Sequence, residues 1–568
     1  MCGICGIFKN SISQQDVLSL RAMNVAIAHR GPDDSGEYIG ADIALAMRRL
    51  SIIDLAGSKQ PLHNENGAIV LVANGEIYNY IELRQALIQR GHKFATNGDC
   101  EVILHLYEEK GVNCLDDLRG MFAFALWDGA NLFLARDRMG EKPLYFCRQN
   151  GSLIFASELK ALSAFTGRVI DTNAVDLFMH YQYIPEPMTL IAEIEKLPRA
   201  HYLLASHDSI TIQRYWSVGE VEPLSGDPAT IVFDKLQETV ALTLQSDVPV
   251  GIALSAGIDS TTVAALARRD VHAFSVGYPG RPNHDEREYA KRFADSLGLP
   301  FHEIELSTDE FLDTLPGLVY AGDDPIADIA MFGYYAVMRE ARRHGVPVML
   351  SGMGGDELFW GYPWVRQAVA ENPTPRKQMV FYELSPDFLL AEETLPRIYS
   401  DSVSIPPRFS YTPFYVEDDF SDVPNKVCEL IFDTWLVSNC IAQVDRLSMA
   451  FSVEARLPLL DYKLVETVLG LRKMQPDHAL APKAWLKGAM QSKLPSWILE
   501  RPKQGFTPPG EEWIAGAFRR YGHMLLDGYL TQAHIFDGDK VRRLIGDSKY
   551  KSIFWRALIL ELWCRAYL

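Results

Sequence analysis

The sequence lacks several features that mark whole classes of protein. Lysine and arginine number 55 against 73 aspartate and glutamate, and the resulting net charge of −18 disfavours a general surface for nucleic acid or anionic membranes. No run of about 18 uninterrupted apolar residues is present, and no basic segment precedes an apolar one at the amino terminus. We therefore expect no nucleic-acid partner, no membrane span and a cytoplasmic location.

Two further absences concern redox chemistry and phosphate binding. The eight cysteines lack zinc-ribbon spacing, and Cys2-x-x-Cys5 stands outside any thioredoxin-like pattern, so we expect most cysteines to be reduced core residues. The pattern G-x-x-x-x-G-K-S/T is also missing, which argues against an NTPase that transfers a γ-phosphate. Internal repeats and low-complexity tracts are absent as well.

The chain is long enough for two large domains, with 568 residues of which 48% are hydrophobic. Before about residue 210, short apolar segments between Gly and Asn turns predict sheets at 68–73, 121–127, 131–135 and 152–155, with helices at 15–29 and 80–90. Later, helices at 229–245 and 260–269 alternate with strands at 250–254 and 271–275, which predicts a parallel sheet covered on both faces. Segment 206–227 is polar and is the candidate linker.

The second residue is a cysteine, and removal of Met1 would leave its thiol beside a free α-amine. An α-amino group titrates near about 7.7 to 8.0, so part of it is unprotonated at neutral pH and can accept the thiol proton. This is the arrangement of N-terminal nucleophiles. From position alone, Cys2 could equally be a small hydrophobic residue near a terminus.

Two loops in the second half predict a phosphate site. The first, Ser-Ala-Gly-Ile-Asp-Ser at 255–260, lies between a predicted strand and a helix, where backbone N–H groups and hydroxyls face an anion. Taken alone, it could also be a turn with an N-cap serine. The second, Ser-Gly-Met-Gly-Gly-Asp-Glu at 351–357, follows an apolar strand at 346–350, and open α/β sheets bind ligands at such strand ends. Asp259 and Asp356 would hold Mg²⁺ with a pyrophosphate.

These motifs resemble those of glutamine-dependent asparagine synthetases over nearly the whole chain. Their class II glutaminase half is matched by Cys-Gly-Ile at 2–4, His-Arg-Gly-Pro-Asp-Asp at 29–34, Arg-Leu-Ser-Ile at 49–52, Asn-Gly-Glu-Ile-Tyr-Asn at 74–79, Gly-Asp at 98–99, Ala-Arg-Asp-Arg at 135–138 and Phe-Ala-Ser-Glu-Leu-Lys at 155–160. Their ATP-pyrophosphatase half is matched by Val-Pro-Val-Gly at 248–251, Phe-Ser-Val-Gly at 274–277, both phosphate loops, Val-Asp-Arg-Leu-Ser-Met-Ala at 444–450, Glu-Ala-Arg-Leu-Pro at 454–458 and Arg-Pro-Lys-Gln-Gly-Phe at 501–506.

The resemblance implies an α/β protein of two domains. Residues 1–212 would form a four-layer αββα Ntn-hydrolase sandwich with glutaminase activity. Residues 213–568 would form a parallel-sheet α/β ATP-pyrophosphatase domain, similar to the adenine nucleotide α-hydrolases, that makes an amide. Ammonia would pass between the domains through an internal apolar passage, and a homodimer is expected at the level of the family.

In the glutaminase half, the resemblance implies that Cys2 attacks the side-chain carbonyl of glutamine, with its α-amine as base, to give a glutamyl thioester and ammonia. Asn74 and Gly75 match the oxyanion hole, where each fixed donor is worth about 2.7 to 4 kcal/mol. Arg49 matches the residue that pairs with the α-carboxylate of glutamine. The residues matched to its α-ammonium group are Glu76 and Asp99.

In the synthetase half, the resemblance implies that ATP activates a carboxylate as an acyl-adenylate, which ammonia attacks. Lys503 matches a lysine that neutralises charge on the phosphates. The residues matched to ATP and pyrophosphate are Ser255, Gly257, Asp259, Ser260, Phe274, Ser275, Val276, Gly277, Ser351 and Gly352. The matched Mg²⁺ ligands are Asp259 and Asp356.

Two positions depart from the family pattern. Ala256 replaces a glycine of the first loop, and we expect ATP binding to survive because the other anion-binding groups remain. Met353 stands where asparagine synthetases carry a glutamate and β-lactam synthetases a tyrosine, and a thioether cannot serve as a base. The predicted acceptor pocket contains Met353, Glu357 and Trp360, with Glu357 or Asp328 as substitute proton acceptors and the indole as a surface for a sugar ring.

The sequence thus predicts a carbon–nitrogen ligase that uses glutamine and ATP to amidate a small carboxylate. Aspartate is the first candidate acceptor. The alternative is a larger carboxylate, such as a uronic acid of a surface polysaccharide or a precursor of a secondary metabolite, which Met353 and Trp360 favour. A third hypothesis is a peptide or β-lactam cyclase, and the retained Cys2 argues against it. A fourth is a non-catalytic binding protein, and the retained acids of the phosphate loops argue against it.

Overall fold

The computed structural model describes residues 2–267, 270–280, 285–371, 386–404, 422–502 and 508–568. The first half of the chain contains the strands β1 Cys2–Phe8, β2 Asp34–Ile39, β3 Ile43–Arg49, β4 Leu62–His63, β5 Val70–Ile77, β6 Gly120–Trp127, β7 Leu132–Arg136, β8 Tyr145–Gln149, β9 Ser152–Ala156, β10 Ile194–Lys196, β11 His201–Ala205 and β12 Ile210–Arg214. Its helices are α1 Gln14–Ala26, α2 Tyr80–Gln89, α3 Glu101–Lys110 and α4 Thr172–Tyr181.

These strands form two antiparallel sheets, in the orders β10-β8-β9-β1-β3-β2 and β12-β11-β7-β6-β5-β4. Side chains alternate across each sheet, so Ile4 of β1 packs between the two sheets while Cys5 packs toward α1. Helices α1 and α4 cover the first sheet, and α2 and α3 cover the second. The predicted four-layer αββα sandwich is confirmed.

The predicted linker at 206–227 is wrong in part. Its residues 210–214 form β12, which pairs with β11 at the edge of the second sheet. Every residue of β12 is exposed, including Ile210 and Ile212, as is possible for a short strand at the edge of a sheet. The predicted domain boundary after residue 212 falls within this strand, and we propose that the first domain extends at least to its end.

The second half contains a parallel sheet of β13 Val250–Ala253, β14 His272–Gly277, β15 Phe301–Glu305, β16 Val348–Leu350 and β17 Glu454–Arg456, in the order β15-β14-β13-β16-β17. The helices are α5 Pro228–Thr243, α6 Ile258–Leu266, α7 Arg287–Leu297, α8 Thr308–Ala321, α9 Met331–Arg343, α10 Gly355–Leu358, α11 Pro363–Glu371, α12 Pro386–Thr394, α13 Val423–Ile431, α14 Ala442–Met449, α15 Tyr462–Met474, α16 Ala484–Ala489, α17 Ser496–Leu499, α18 Gly510–Tyr521, α19 Met524–Asp527, α20 Tyr529–Gln532, α21 Gly538–Leu544 and α22 Lys551–Tyr567. The predicted parallel α/β domain is confirmed.

Helices α13 and α14 are joined by a π-helical stretch, Phe432–Ile441, into one apolar helix from residue 423 to residue 449. It is long and apolar enough to cross a membrane, with a mean hydropathy of 1.2 over its most apolar window. However, 83% of that window is buried inside the protein, so this is a core helix of the second half.

Candidate active sites

The predicted nucleophile lies at the start of β1, in the centre of the first sheet. Cys2 is paired with Arg49 at the end of β3, and its backbone N–H donates a hydrogen bond to Oδ1 of Asn74, 2.9 Å away. Burial raises the pKa of the Cys2 thiol, so the thiol needs a base to become a nucleophile. The fold thus brings the cysteine and the predicted oxyanion residue into direct contact.

Asn74 and Gly75 have the geometry of an oxyanion hole. Asn74 is fully buried on β5, and within the described residues its Nδ2 atom has no hydrogen-bond partner, so that N–H group is available to an incoming oxygen. At position 75 a Cβ atom would lie 2.1 Å from the carbonyl oxygen of Met121, so only glycine lets β5 pack this closely on β6. Their contact with a tetrahedral oxygen stays a prediction.

Arg49 is held rigidly at the rim of this site. Its guanidinium donates hydrogen bonds to the carbonyl oxygens of the loop after β3, at 3.2 Å to Ile53, 2.8 Å to Asp54 and 3.2 Å to Leu55. Only 5% of Arg49 is exposed, so the side chain is fixed before any substrate arrives. A carboxylate at this rim would meet a positive charge whose position is already set.

The glutaminase site also contains two buried carboxyl groups that interact with each other, those of Glu76 and Asp99. Burial raises the pKa of Asp99, and burial together with the Asp99 charge raises the pKa of Glu76 well above its usual value. Asp99 accepts a hydrogen bond of 2.7 Å from the backbone N–H of Ile77, which fixes its orientation. Because an ammonium group would stabilise the charged form of these buried carboxyl groups, this pair suits the α-ammonium group of an amino acid.

The second half of the chain also reaches this site, through β17. Nη2 of Arg456 lies 3.6 Å from Oε1 of Glu76, while the backbone carbonyl of the same arginine accepts a hydrogen bond of 3.0 Å from the N–H of Ser351. Burial is the main cause that raises the pKa of the Cys2 thiol, and the charge of Glu454, also on β17, adds to it. The motif at 454–458 is part of the family resemblance, but no role was predicted for Glu454 or Arg456 from the sequence.

The predicted phosphate loops line a cavity of about 510 Å³ at the carboxyl ends of β13, β14 and β16. Within the first loop, the hydroxyl groups of Ser255 and Ser260 form a hydrogen bond, with 3.0 Å between the two Oγ atoms. The N–H of Gly257 donates a hydrogen bond of 3.2 Å to Oγ of Ser255. These bonds fix the loop where α6 begins, at the positively polarised end of the helix. The backbone φ angle of Ala256 is not positive, so its methyl group causes no backbone strain.

The second loop lies directly against the first. A Cβ atom at Gly352 would lie 2.5 Å from the backbone nitrogen of Ser260, so a side chain there would separate the loops. Ser351 supports the turn by accepting a hydrogen bond of 3.3 Å from the N–H of Met353, whose side chain lines the cavity. The sequence predicted both loops, and the structure brings them together into one wall.

Asp259 and Asp356 converge on a lysine that the sequence analysis missed. Nζ of Lys483 lies 2.5 Å from Oδ2 of Asp259 and 2.6 Å from Oδ1 of Asp356, and the two acids raise the pKa of this buried lysine although burial opposes them. Lys483 has a positive φ of 59° just before α16, a local conformation that no short sequence motif reveals. Two carboxylates aimed at one point also fit Mg²⁺, which prefers oxygen ligands.

The segment predicted to contact adenine follows β14 into the cavity wall. Phe274, Ser275 and Val276 line the cavity. Gly277 is absent from the lining, and a Cβ atom there would lie 2.0 Å from Nε of Arg287. Arg501 lines the cavity, and Lys503 of the same motif lies outside the described residues.

Glu357 is the acid of the predicted acceptor pocket. It is 2% exposed, lines the cavity, and accepts a hydrogen bond of 2.9 Å from the hydroxyl of Tyr362. Burial, followed by the nearby charge of Asp356, raises the pKa of Glu357 to about 7. A carboxyl group that titrates near neutral pH can accept a proton during a reaction and release it afterwards.

Trp360 lies outside the cavity, contrary to the expectation that its indole binds the acceptor. Only 2% of the residue is exposed, Nε1 donates a hydrogen bond of 2.8 Å to Asp477, and the guanidinium of Arg472 lies 4.3 Å above the ring. A buried indole with a satisfied N–H group is a core residue. Asp328, the other proposed acid, accepts a 3.0 Å hydrogen bond from Asn439 and is likewise absent from the lining.

All eight cysteines are among the described residues, are buried and form no disulfide.

Comparison with known proteins agrees with the two domains and the two sites described above. Residues 1–216 match the glutamine amidotransferase domain family, and residues 232–565 match the asparagine synthase family.

Full-length relatives include two proteins of Bacillus subtilis (strain 168). Asparagine synthetase (glutamine-hydrolyzing) 1 is 32% identical over 99% of this chain and 96% of its own length, and asparagine synthetase (glutamine-hydrolyzing) 2 is 33% identical over 93% and 73%. Asparagine synthetase B (glutamine-hydrolyzing) of Escherichia coli (strain K12) is 29% identical over 90% and 83%. The chain therefore belongs to the family of glutamine-hydrolysing asparagine synthetases and is a carbon–nitrogen ligase.

Proposed function

We propose that this protein transfers ammonia from glutamine to a carboxylate that it activates with ATP, with aspartate as the first candidate acceptor. The observation that carries the proposal is the position of Arg456, whose side chain faces Glu76 in the glutaminase site and whose backbone binds the loop at Ser351 in the ATP cavity. One strand, β17, therefore separates the site that makes ammonia from the cavity that uses it.

In the glutaminase site, removal of Met1 would give Cys2 an α-amine that takes the thiol proton. The thiolate attacks the side-chain carbonyl of glutamine, and Nδ2 of Asn74 with the N–H of Gly75 stabilises the oxygen that becomes negative. The protonated α-amine then returns its proton to the amide nitrogen, the carbon–nitrogen bond breaks and ammonia leaves, and water hydrolyses the thioester to give glutamate and the free thiol. Arg49 and Asp99 hold the amino-acid end of glutamine.

In the ATP cavity, the acceptor carboxylate attacks the α-phosphate and pyrophosphate leaves. Ser255 and Ser260 would bind the leaving phosphates at the start of α6, and Lys483 would neutralise their charge. Asp259 and Asp356 fit a Mg²⁺ ion, which would supply further positive charge to the phosphates when it is bound. Lys503 remains a proposed contributor from the segment outside the described residues.

Glu357 is the proposed proton acceptor for the amide-forming step. Ammonia attacks the carbonyl carbon of the acyl-adenylate, the bond to the AMP oxygen breaks, and the extra proton on nitrogen passes to the Glu357 carboxylate. Its place in the cavity wall beside Met353 supports this role, since the residue at 353 has no basic atom. Tyr362 orients the carboxylate through its hydrogen bond.

A non-aspartate acceptor, such as a uronic acid or a metabolite precursor, is the second candidate. Met353 favours it, because a side chain that lines the cavity differs in charge and shape from the family's glutamate. Trp360 gives it no support, since the indole is buried in the core. A cyclase is less well supported, because the chain retains Cys2 and the glutamine-site residues around it. A non-catalytic protein is less well supported, because the chain retains Asp259 and Asp356, which lie beside Lys483.

The experiment that tests these alternatives is ATP–pyrophosphate exchange across a panel of carboxylates that includes aspartate and uronic acids. Exchange with aspartate, followed by asparagine formation from glutamine, would support the first candidate. Exchange with another acid alone would name a different acceptor. Asp259→Ala should abolish exchange with any acceptor, and its intact glutamine hydrolysis would show that the protein is folded. Absence of exchange with every acid would contradict an active synthetase.

We also propose that the protein acts in the cytoplasm and that it forms a homodimer. The buried position of its most apolar helix and the abundance of acidic residues are consistent with a protein dissolved in an aqueous compartment. Size measurement in solution tests the dimer.

A further inference from the structure

A second cluster of reactive side chains lies in the first half, away from both active sites. Glu65 lies in the turn between β4 and β5, His92 follows α2, and His105 and Glu108 lie one turn apart on α3. One nitrogen or carboxylate oxygen from each of these four residues lies within 4.8 Å of all the others. The proposed amidation assigns none of them a role.

The distances between these atoms fit ligands around a common centre. Nδ1 of His105 lies 3.1 Å from Oε2 of Glu108 and 3.6 Å from Oε2 of Glu65. Nδ1 of His92 lies 3.6 Å from the same Oε2 of Glu108 and 3.4 Å from Oε1 of Glu65, so Glu65 faces the two histidines with different oxygens. In a tetrahedral zinc site the metal–ligand distances imply neighbouring ligand atoms about 3.3 to 3.6 Å apart. Pairwise hydrogen bonds are shorter, at about 2.7 to 3.2 Å, and three of the four distances exceed that range.

The outward nitrogen of each histidine faces a further carboxylate. Nε2 of His92 lies 3.2 Å from Glu109, and Nε2 of His105 lies 3.7 Å from Glu101. Histidines that bind metals through one nitrogen typically donate the other N–H to a carboxylate, which fixes the tautomer and orients the ring. For His92 this leaves Nδ1 as the unprotonated, metal-binding nitrogen, whereas the 3.7 Å from Nε2 of His105 to Glu101 is longer than a hydrogen bond.

Each of the two carboxylates of the cluster is oriented by a hydrogen bond. Oε1 of Glu65 accepts a hydrogen bond of 2.9 Å from the backbone N–H of Lys93, and Oε1 of Glu108 accepts one of 2.8 Å from the side-chain amide of Asn64. Glu108 therefore has one oxygen held by the protein and one turned to both histidines, whereas in Glu65 the held Oε1 faces His92 and the other oxygen faces His105. The Glu65 side chain is 31% exposed, whereas His105 is fully buried, so an ion could enter from solvent and still be enclosed on one side.

We propose that Glu65, His92, His105 and Glu108 bind a structural zinc ion. Two imidazoles with two carboxylates suit zinc better than Mg²⁺ or Ca²⁺, which take oxygen ligands. Four protein ligands complete a tetrahedron, so the site has no open position for catalysis. The binding itself is independent of the proposed amidation, whereas its consequence for glutamine hydrolysis rests on that function.

The consequence follows from the segment that the ion would tie down. His92 and His105 flank residues 93–104, which include Asp99 of the predicted glutamine site. Within this segment the N–H of Asn97 donates a hydrogen bond of 2.9 Å to the side chain of Asp54, whose carbonyl binds Arg49. Zinc would hold the residues on both sides of this segment at fixed positions and keep both ends of the glutamine site in register.

The experiment measures zinc in the full-length protein, made without a histidine tag, after chelation and exposure to equimolar ZnCl₂. Wild type should retain about one zinc per chain, and His92→Ala should lose nearly all of it. His207→Ala is the matched control, because His207 also lies in the first half and faces a carboxylate, Asp42, at 3.1 Å. A wild type that binds no zinc, or a His92→Ala variant that retains it, would overturn the proposal.

Two more readouts protect the test against a folding defect. Co²⁺ in place of zinc should give the intense visible absorption of a tetrahedral site in wild type and His207→Ala, and Glu109→Gln should weaken zinc binding about 10- to 100-fold without removing a ligand. Zinc removal should raise the KM for glutamine while ammonia-driven synthesis stays unchanged. Bound zinc with unchanged glutamine kinetics would keep the site but overturn its role in positioning Asp99, and loss of amidation from both nitrogen sources would instead count against the proposed function.

Discussion

The two active sites differ in how strongly positive side chains neutralise their paired carboxyl groups. In the glutaminase site, Glu76 and Asp99 are buried and their pKa values are raised, although Nη2 of Arg456 lies 3.6 Å from Oε1 of Glu76. In the ATP cavity, Asp259 and Asp356 share the ammonium group of Lys483 at hydrogen-bond distance. Arg456 lies closer to Glu454, at 2.6 Å, so the first pair is only partly neutralised, whereas Lys483 lies within 2.6 Å of both acids of the second pair.

This difference matches the charges of the ligands that each site is proposed to bind. A site whose buried acids are only partly neutralised gains most from a ligand that brings its own ammonium group, as glutamine does. A site whose acids are already neutralised can accept phosphates, because Lys483 and a divalent ion offset the negative charge of the aspartates. Variants that separate the two sites should therefore change one activity and spare the other.

Replacing the nucleophile should produce the largest separation. Cys2→Ala removes the predicted nucleophile from the residue whose backbone N–H binds Asn74, and we expect glutamine hydrolysis to fall by about 10⁴-fold or more. Ammonia-driven synthesis should remain near the wild-type rate, since the ATP cavity is untouched. Both rates can be measured in the same preparation, with glutamate and AMP as products.

Cys5→Ala is the matched control for this prediction. Cys5 lies on the same strand but its side chain points to the helix side of the sheet, into the core beside α1. We expect this variant to keep glutamine hydrolysis. Equal losses in both variants would mean that disruption of β1, and not removal of a nucleophile, explains the result.

Removing the shared cation should have the next largest effect, now on the ATP side. Lys483→Ala leaves two carboxylates side by side without their ammonium partner, which opposes the approach of phosphates. We expect ATP–pyrophosphate exchange to fall about 10²- to 10³-fold, with glutamine hydrolysis intact. Lys463→Ala, which breaks an exposed pair with Glu466, should leave exchange unchanged. Exchange that survives in Lys483→Ala would show that another group, such as Lys503, carries this charge.

Neutralising one acid of the glutaminase site should have a smaller effect. Asp99→Asn keeps the shape and the hydrogen bond from Ile77 but removes the charge offered to an ammonium group. We expect the KM for glutamine to rise about 10- to 100-fold, because hydrogen bonds to charged groups are worth about 1.5 to 3 kcal/mol. Glu37→Gln, at an exposed pair with Arg21, is the control. An unchanged KM would assign ammonium binding to Glu76 alone.

The sequence predicted most of the fold, because the evidence for it is local. Alternating apolar residues located β6 at 120–127 within one residue, and the helix–strand alternation after residue 223 gave the parallel sheet. It mistook β12 for a linker, because the short alternation of Ile210 and Ile212 lies between the polar residues 206–209 and a segment at 217–227 that contains Gly and Pro. Contacts between sheets and domains leave no such local pattern.

The site shows the same limit. Both phosphate loops and the glutamine-site residues were predicted, because each lies in a compact motif. Lys483 was missed since it is far from Asp259 and Asp356 in sequence and meets them only in the folded chain. Trp360 was placed in the acceptor pocket because it follows the loop closely, yet a left-handed backbone conformation at 360, with φ of 59°, accompanies a buried indole.

The smallest expected effect concerns the proton acceptor of the ATP cavity. Tyr362→Phe removes a hydrogen bond to the Glu357 carboxylate, and since that bond stabilises the charged form, its loss should raise the pKa of Glu357 above about 7. If the ionised carboxylate accepts the proton, the rate of ammonia-driven synthesis rises with pH through this pKa. We therefore expect the midpoint of the profile to move up by about 0.5 to 1 pH unit.

The profile is best measured at a constant concentration of unprotonated ammonia, so that only the protein titrates. Tyr334→Phe is the control, because Tyr334 lines the same cavity but its hydroxyl is not the one that donates to Glu357. Glu357→Gln should remove the midpoint altogether and lower the rate, since an amide cannot accept the proton. A midpoint that stays in place in Tyr362→Phe and Glu357→Gln alike would assign the proton transfer to water or to another group, and would leave Met353 without a compensating base.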